Sequence, residues 1–518
     1  GQFRFDGFDP GADLLNGEVV PPYQNSEGDY QSHTITGDWN TFATWERWDG
    51  EEWITPAPAV PIATSLVLIR NGHTVNIDAS ANAAQIIIED GATLTLSSSG
   101  QATAGIITNF GTLNLNSDAG GIASLIVDSY ADYGDENIQL FLTGGGDESN
   151  YPWHYISTPI ADLSTSSVMT GGGPDGSDLA IYDENIVSTT HSQHLAWRGY
   201  DGWNYQTEDG LPNLTEFGSL ELGKGYNYYS YSDATRVFSG SFNTSDVTDI
   251  LLSYSGPGDN PDIYGWNLVG NPFTASIFWD DIDRTFAVDN AIYFTTNNTY
   301  VTYVAGVGVP GGTTGNIPPM QGFFVKANAA NQYIYFYSAD RRHSAQNRYK
   351  GEAESIPLIR LKLGNEVVSD ETAIRFDKSA NLEFDHNLDA YKFSKTGTKV
   401  SLWSNSEKIS YSINSIPYPE TEIEIPLGIN VSEEGSFRLN ATQIESLSDY
   451  GIFLTDKTTG TSVNLRTSPE FSFSASAGIN ENRFVIKIIN LTTNVEDPGI
   501  SADKFNIYSA SGFINIQT

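Results

Sequence analysis

The chain has 518 residues, with 64 Asp and Glu against 26 Lys and Arg, a formal charge of −38 at pH 7, and no cysteine. So negative a surface repels nucleic acid and anionic lipid, and the missing thiols exclude disulfides, thiolate metal sites and a cysteine nucleophile. The length exceeds what one core organises, while 49 Gly and 22 Pro interrupt an aromatic-rich chain too often for long helices, so the expected class is all-β and multidomain.

The N-terminal part, residues 1–135, carries short β-rich runs that recur after glycine: Gly72-His73-Thr74-Val75, Gly91-Ala92-Thr93-Leu94 and Gly111-Thr112-Leu113-Asn114. The glycines step by 19 (91 − 72) and 20 (111 − 91), a length that suits one coil of a parallel β-solenoid. Within each run, one side chain points inward and the next to solvent. An antiparallel meander is the competing arrangement.

Residues 150–345 contain a motif twice. Trp153 to Pro159 matches Trp266 to Pro272, both ends displaced by 113 (266 − 153 and 272 − 159). Ala180-Ile181-Tyr182 then matches Ala291-Ile292-Tyr293, and Gly225-Tyr226 matches Gly322-Phe323. A duplicated, aromatic-rich β domain with pseudo-symmetric halves is expected. After a polar linker, residues 354–491 alternate apolar with polar residues, as in Ile359-Arg360-Leu361-Lys362-Leu363, the pattern of half-buried antiparallel strands in a β-sandwich. Residues 492–518 form a second linker and one hairpin around Ser511-Gly512.

The usual local signatures of hydrolases, zincins and nucleotide enzymes are missing. Gly306-Val307-Gly308-Val309-Pro310-Gly311 fits a dinucleotide pattern, but Pro310 and Gly312 oppose the helix that pattern needs. His191 and His194 have a metal-ligand spacing without a third ligand, and Asp280, Asp281 and Asp283 form a solvated acidic turn before they form a glycosidase pair. No catalytic residue is expected, and the chain is taken as non-enzymatic. Calcium, held by oxygen ligands, suits a cysteine-free extracellular protein. Asp132, Asp135 and Glu136 are its candidate ligands, with Asp6, Asp9 and Asp13 as a second set. Trp203, Tyr205 and Tyr229 offer flat rings to a glycan, against the plainer reading that they fill a β core. No apolar run nears the roughly 20 residues of a membrane helix, and the N-terminus lacks a signal-peptide pattern, so any such segment is expected to have been removed or to lie upstream.

Four stretches resemble the C-terminal region of surface proteins of Bacteroidota exported by the type IX secretion system. Gly37-Asp38-Trp39-Asn40-Thr41-Phe42-Ala43-Thr44-Trp45 looks like the opening of their solenoid. Gly265-Trp266-Asn267-Leu268-Val269-Gly270-Asn271-Pro272-Phe273 is similar to their most recognisable phrase. Asp385 and Asp389-Ala390-Tyr391-Lys392, with Ile425-Pro426-Leu427-Gly428, resemble the sandwich that precedes a sorting domain, and Lys504-Phe505-Asn506-Ile507-Tyr508 to Ile516 resembles the start of that domain. A complete sorting domain would continue past Thr518, so a truncated one is expected. The resemblance implies a secreted or cell-surface structural or adhesion protein, with the type IX translocon as its partner during export. The alternatives are a glycan-binding accessory region of a larger polysaccharide-degrading enzyme and, against the scarcity of Lys and Arg there, an enzyme site on the solenoid.

Overall fold

Alternating runs such as Thr74-Val75-Asn76-Ile77 become strands in the computed structural model, which describes residues 25–145, 153–165, 179–184, 203–205, 218–230, 232–256, 264–296, 299–343, 356–393, 398–406, 409–492, 506–510 and 513–517. The architecture is all-β and built from several sheets. Among the described residues no helix is long and apolar enough to cross a membrane.

The glycine-punctuated region forms a solenoid. Strands β1 (Leu66–Ile69), β3 (Ser80–Ile88), β5 (Gln101–Asn109) and β7 (Ser124–Asp132) pair in parallel as one wall. Strands β2 (Thr74–Ile77), β4 (Thr93–Leu96), β6 (Thr112–Leu115) and β8 (Asp135–Leu142) pair in parallel as the other. Register stacks like on like: Val75, Leu94 and Leu113 form one inward row, and Ile77, Leu96, Leu115 and Ile138 another, all fully buried. Gly111 and Gly134 turn successive corners where a Cβ would come within 2.4 and 2.2 Å of carbonyl oxygens in the preceding coil, so no other residue fits without displacing the stack. Trp39 and Trp45 close the N-terminal end, with rings 5.1 Å apart and the Trp45 indole donating to the Trp39 carbonyl.

The repeat first seen as a 113-residue offset is present in the topology. In the first copy β9 (Trp153–Ile156), β10 (Leu179–Tyr182), β11 (Trp203–Tyr205) and β12 (Tyr226–Tyr229) form a sheet in the order β9-β12-β10-β11, followed by β13 (Ala234–Ser239), which pairs with β8. The second copy begins with β14 (Val247–Leu252) and β15 (Trp266–Gly270), continues through the short β16 (Asp283–Arg284), β17 (Ala291–Thr296) and β18 (Thr299–Val304), and ends with β19 (Gly322–Lys326) and β20 (Gln332–Phe336). Its sheet runs β15-β19-β17-β18, the same order, with Val307–Val309 added beyond β18, and β20 pairs with β14 as β13 does with β8.

The copies meet about a pseudo-two-fold axis. Ile156 bridges Gln321 and Lys224 bridges Val269, contacts that exchange when each residue is replaced by its counterpart in the other copy. The Ser157 amide donates to the Met320 carbonyl at 2.8 Å, and its counterpart Gly270 donates to the Gly223 carbonyl at 3.0 Å. Such self-complementary contact is how two-fold interfaces are built. It explains Gly225 and Gly322, where a Cβ would lie 2.5 Å from the Val269 oxygen and 2.7 Å from the Ile156 oxygen.

Residues Leu358 to Asn490 form an 11-stranded sheet that folds over its own core, with Phe473 near one end touching Phe484 at 4.7 Å. One pair, Ser369–Phe376 with Ser410–Ile416, is parallel where uniform antiparallel pairing was expected. Gly428 sits opposite Trp403, whose ring occupies the space a Cβ would need. The C-terminal hairpin pairs Asn506–Ala510 with Phe513–Gln517.

The parts share structure at their borders. β8 is both the last coil strand of the solenoid and the first strand of the first repeat, pairing in parallel with β6 and antiparallel with β13. The Leu125 amide of β7 donates to the Thr274 carbonyl of the second repeat, the Thr274 hydroxyl donates back to the Leu125 carbonyl, and Arg341 donates to the Val127 carbonyl at 2.6 Å. Trp266 and Tyr293 of the second repeat pack in one apolar cluster with Tyr391, Phe393 and Ile413 of the folded-over sheet.

Candidate functional site

The acidic run Asp132-Tyr133-Gly134-Asp135-Glu136 turns the last solenoid corner, and strand alternation divides it. Asp135 continues the outward row Thr74, Thr93 and Thr112 and is exposed, whereas Glu136 continues the inward row Val75, Leu94 and Leu113 and is 2% exposed. The proposed triad is therefore split, with Asp135 on the opposite face of the strand. Glu136 Oε1 accepts hydrogen bonds from Asn109 Nδ2 at 2.5 Å and the Tyr130 hydroxyl at 2.6 Å. Asp132 accepts one from the Ser241 hydroxyl. Burial in the apolar row, reinforced by the hydrogen bond it shares with Asp132, pushes the Glu136 carboxyl up to about 7. Asp132 and Glu136 are neighbouring carboxyls, of which Glu136 is the buried one with the raised pKa. Among the described residues no group of three or more Asp, Glu or His side chains is placed to hold a metal ion, and two carboxylates fall short of the six to eight oxygens calcium takes.

The aromatic candidates lie on the first repeat. Trp203 and Tyr205 fall on β11, paired with Tyr182 and Ala180, and Tyr229 on β12, opposite Trp153; their side chains lie outside the described portion. So do Asp6, Asp9, Asp13, His191 and His194 altogether. The acidic turn at 280–283 is engaged within the protein: Asp280 accepts from the Tyr303 hydroxyl at 2.6 Å and Asp281 pairs with Arg342. Gly306 turns the chain into a short strand, Val307–Val309, with no helix following it, as Pro310 required.

A cluster that the sequence pattern did not reveal sits where the second repeat meets the folded-over sheet. The Asp289 side chain is fully buried, receives Asn328 Nδ2, and pairs with His386 Nδ1 at 2.7 Å, while its Oδ2 is buried with no hydrogen-bond partner. The Asn290 amide donates to the His386 carbonyl at 2.8 Å, and the Tyr391 amide to the Tyr293 hydroxyl at 2.9 Å. Asp289 and His386 lie 97 positions apart in sequence, so no local motif joins them. A cleft of about 820 Å³ opens along the same junction, lined by Asp280, Tyr303, Ile356, Arg360 and Gln443. Arg360 is held there by the Gly308 carbonyl at 2.7 Å and by Glu371 at 3.6 Å, which makes it a clamp between the two parts.

Residues 281–488 match a family described as a domain of unknown function, DUF8693. The matched span begins in the second repeat and ends in the last long strand of the folded-over sheet, so it contains both sides of the junction just described. No curated protein and no solved structure matches the chain.

The hydrogen bond that His386 Nδ1 donates to the Asp289 carboxylate raises the pKa of His386 above its usual value. The charged imidazole then stabilises the junction fully below the ordinary histidine value, and that contribution is lost as pH rises through the raised one. Hydrogen exchange of the Asn290 amide is expected to quicken over that interval, and His386→Gln to abolish the pH step. An unchanged step in the variant would assign it elsewhere.

Proposed function

We propose that this chain is a secreted or cell-surface structural and adhesion segment, carried out of the cell by the type IX route and serving as a stiff β-built spacer. One observation carries the spacer part: the solenoid, the paired repeats and the folded-over sheet are joined by a shared strand, β8, and a shared aromatic core around Trp266. Among the described residues, borders with common strands and cores resist hinge motion. The export part draws support from the likeness of the four sequence stretches to exported surface proteins and from the acidic, cysteine-free composition, which keeps a protein soluble without oxidative folding.

Antibody labelling of intact cells tests location. Surface labelling, removed by external protease, is expected; a pool found only inside the cell overturns the export reading. Small-angle scattering on the purified protein tests stiffness. A profile fitted by one rigid body from residue 30 to 490 is expected, and a profile that requires an ensemble of independently moving parts overturns the spacer reading.

A further inference from the structure

The duplication supplies an internal control that exposes one surface as unnecessary to the fold. On β13 the outward positions are held by Thr235, Val237 and Ser239, flanking buried Phe238. On β20 and the residue after it, the corresponding positions hold Tyr333, Tyr335 and Tyr337, alternating with buried Ile334 and Phe336. The same strand in the same topology thus stands with a small polar or β-branched face in one copy and with a row of three tyrosines in the other. Their ring centroids are 6.4 and 6.5 Å apart along the row, the second pair with planes only 8° from parallel. Neighbouring strands extend the face: Leu251 lies opposite Tyr333 and is 59% exposed, and Phe286, just past β16, is 97% exposed.

Carboxylates flank the row. Asp283 lies opposite Tyr335 on β16, Asp340 accepts from the Tyr337 amide, and Asp246 accepts from the Ser338 amide. Of the cations nearby, Arg284 lies over the Trp279 ring at 4.3 Å, and Arg341 reaches the Val127 carbonyl and Asp128 and donates to the Ser338 carbonyl at 2.6 Å. A tyrosine presents a large rigid apolar face with a hydroxyl at its tip at low entropic cost, which is why it is favoured in binding surfaces.

We propose that the outward face of the β14-β20-β16 sheet is a binding platform for an uncharged polysaccharide chain. The ring faces pack against the C–H faces of successive sugars, and the flanking carboxylates accept hydrogen bonds from sugar hydroxyls. Those carboxylates repel acidic polysaccharides. The row suits a linear ligand with repeated units, since its three rings offer equivalent contacts in sequence. This deepens the adhesion reading by naming the ligand class and takes its setting from it, but spacer stiffness is measured by scattering and stands or falls separately.

The test uses affinity electrophoresis of the full chain in gels containing a neutral β-glucan, xylan or galactomannan, with pectate, alginate and a polylysine peptide in parallel. The variant carries Tyr333→Thr, Tyr335→Val and Tyr337→Ser, the residues the first repeat already tolerates, so unfolding is not expected and an unchanged thermal transition verifies this. At least one neutral polysaccharide is expected to retard the wild-type chain, with affinity falling at least tenfold in the triple variant, and neither acidic polysaccharide is expected to bind. The proposal is overturned if no neutral polysaccharide retards the chain, if the variant binds as well as wild type, or if only polylysine shows binding that depends on the tyrosines.

Discussion

Trp266→Ala is expected to destabilise the second repeat and the folded-over sheet together, by about 3–5 kcal/mol. The indole is 2% exposed and meets Tyr293, Tyr391 and Phe393 with ring centroids 5.2, 5.8 and 4.6 Å away, the first from its own repeat and the other two from across the junction. Removing it opens a cavity walled by both parts, and close-packed neighbours collapse into such a space only partially. Calorimetry is the decisive measurement. One transition covering both parts should move to lower temperature as a unit; a shift confined to the repeat, with a second transition left in place, would mean that the two cores melt independently.

That shared core also shows where sequence reading stops. Solenoid coils and repeat copies were legible because each is written locally: glycine every 19 or 20 residues shortly before Thr-x-Thr or Thr-x-Asn, and Trp to Pro at a constant 113. The register pairs equivalent positions in both copies, since Trp153 faces Tyr229 and Trp266 faces Lys326, offsets of 113 (266 − 153) on one strand and 97 (326 − 229) on its partner. What lay beyond reach was pairing across distance. Nothing near Asp289 in the sequence points to His386, and nothing in the run Asp132 to Glu136 reveals that one acid falls on the core row and its neighbour on the solvent row until the register with Thr112 and Leu113 is known. The tyrosine row was visible as Tyr333-Ile334-Tyr335-Phe336-Tyr337, but its meaning needed the comparison with Thr235, Val237 and Ser239 that only the superposed topology provides.

The boundaries taken from composition likewise cut through physical units. A break at residue 135 falls at the start of β8, which completes the solenoid wall to Leu142 and at the same time opens the first repeat. Polar stretches mark where the chain leaves a surface, but they do not mark where hydrogen bonding between sheets ends. The explanation is that β8 has two edges, one satisfied by the parallel coil strand β6 and the other by the antiparallel β13; an edge strand left open would be a liability. Its counterpart β14 pairs with β20 but carries a register break between Val247 and Ile250, with Asp249 in the left-handed region at φ 60°. A bulge and an acid on such a strand discourage further pairing, so the second copy ends where the first continues.

Glu136→Gln is expected to stabilise the protein at alkaline pH and to leave it unchanged near pH 4. The wild-type carboxyl is raised from 4.5 to about 7 in the folded chain. Between those values the folded state holds a proton that the unfolded state releases, so this group's contribution is complete below about pH 4.5 and is lost as pH rises to about 7. The interval corresponds to about 3 kcal/mol, an upper bound on the gain at pH 8. Glutamine reproduces the protonated form at every pH: its oxygen accepts from Asn109 and Tyr130, and its amide donates towards Asp132. His343 acts in the opposite sense. Burial lowers its pKa from 6.5 to about 4 while it bonds Ser124 and Thr103 of the solenoid, so its contribution is complete above 6.5 and is lost as pH falls towards 4. The two losses nearly offset each other in the wild-type chain, whose denaturation midpoint should therefore vary little between pH 4 and 8 on their account. Urea denaturation should show Glu136→Gln gaining on the wild-type chain, with no difference near pH 4 and a gap that widens up to about pH 7, because Asp389, also raised to about 7, and His386 titrate alike in both chains. A variant curve parallel to wild type would mean that Glu136 is ionised in the folded chain at neutral pH.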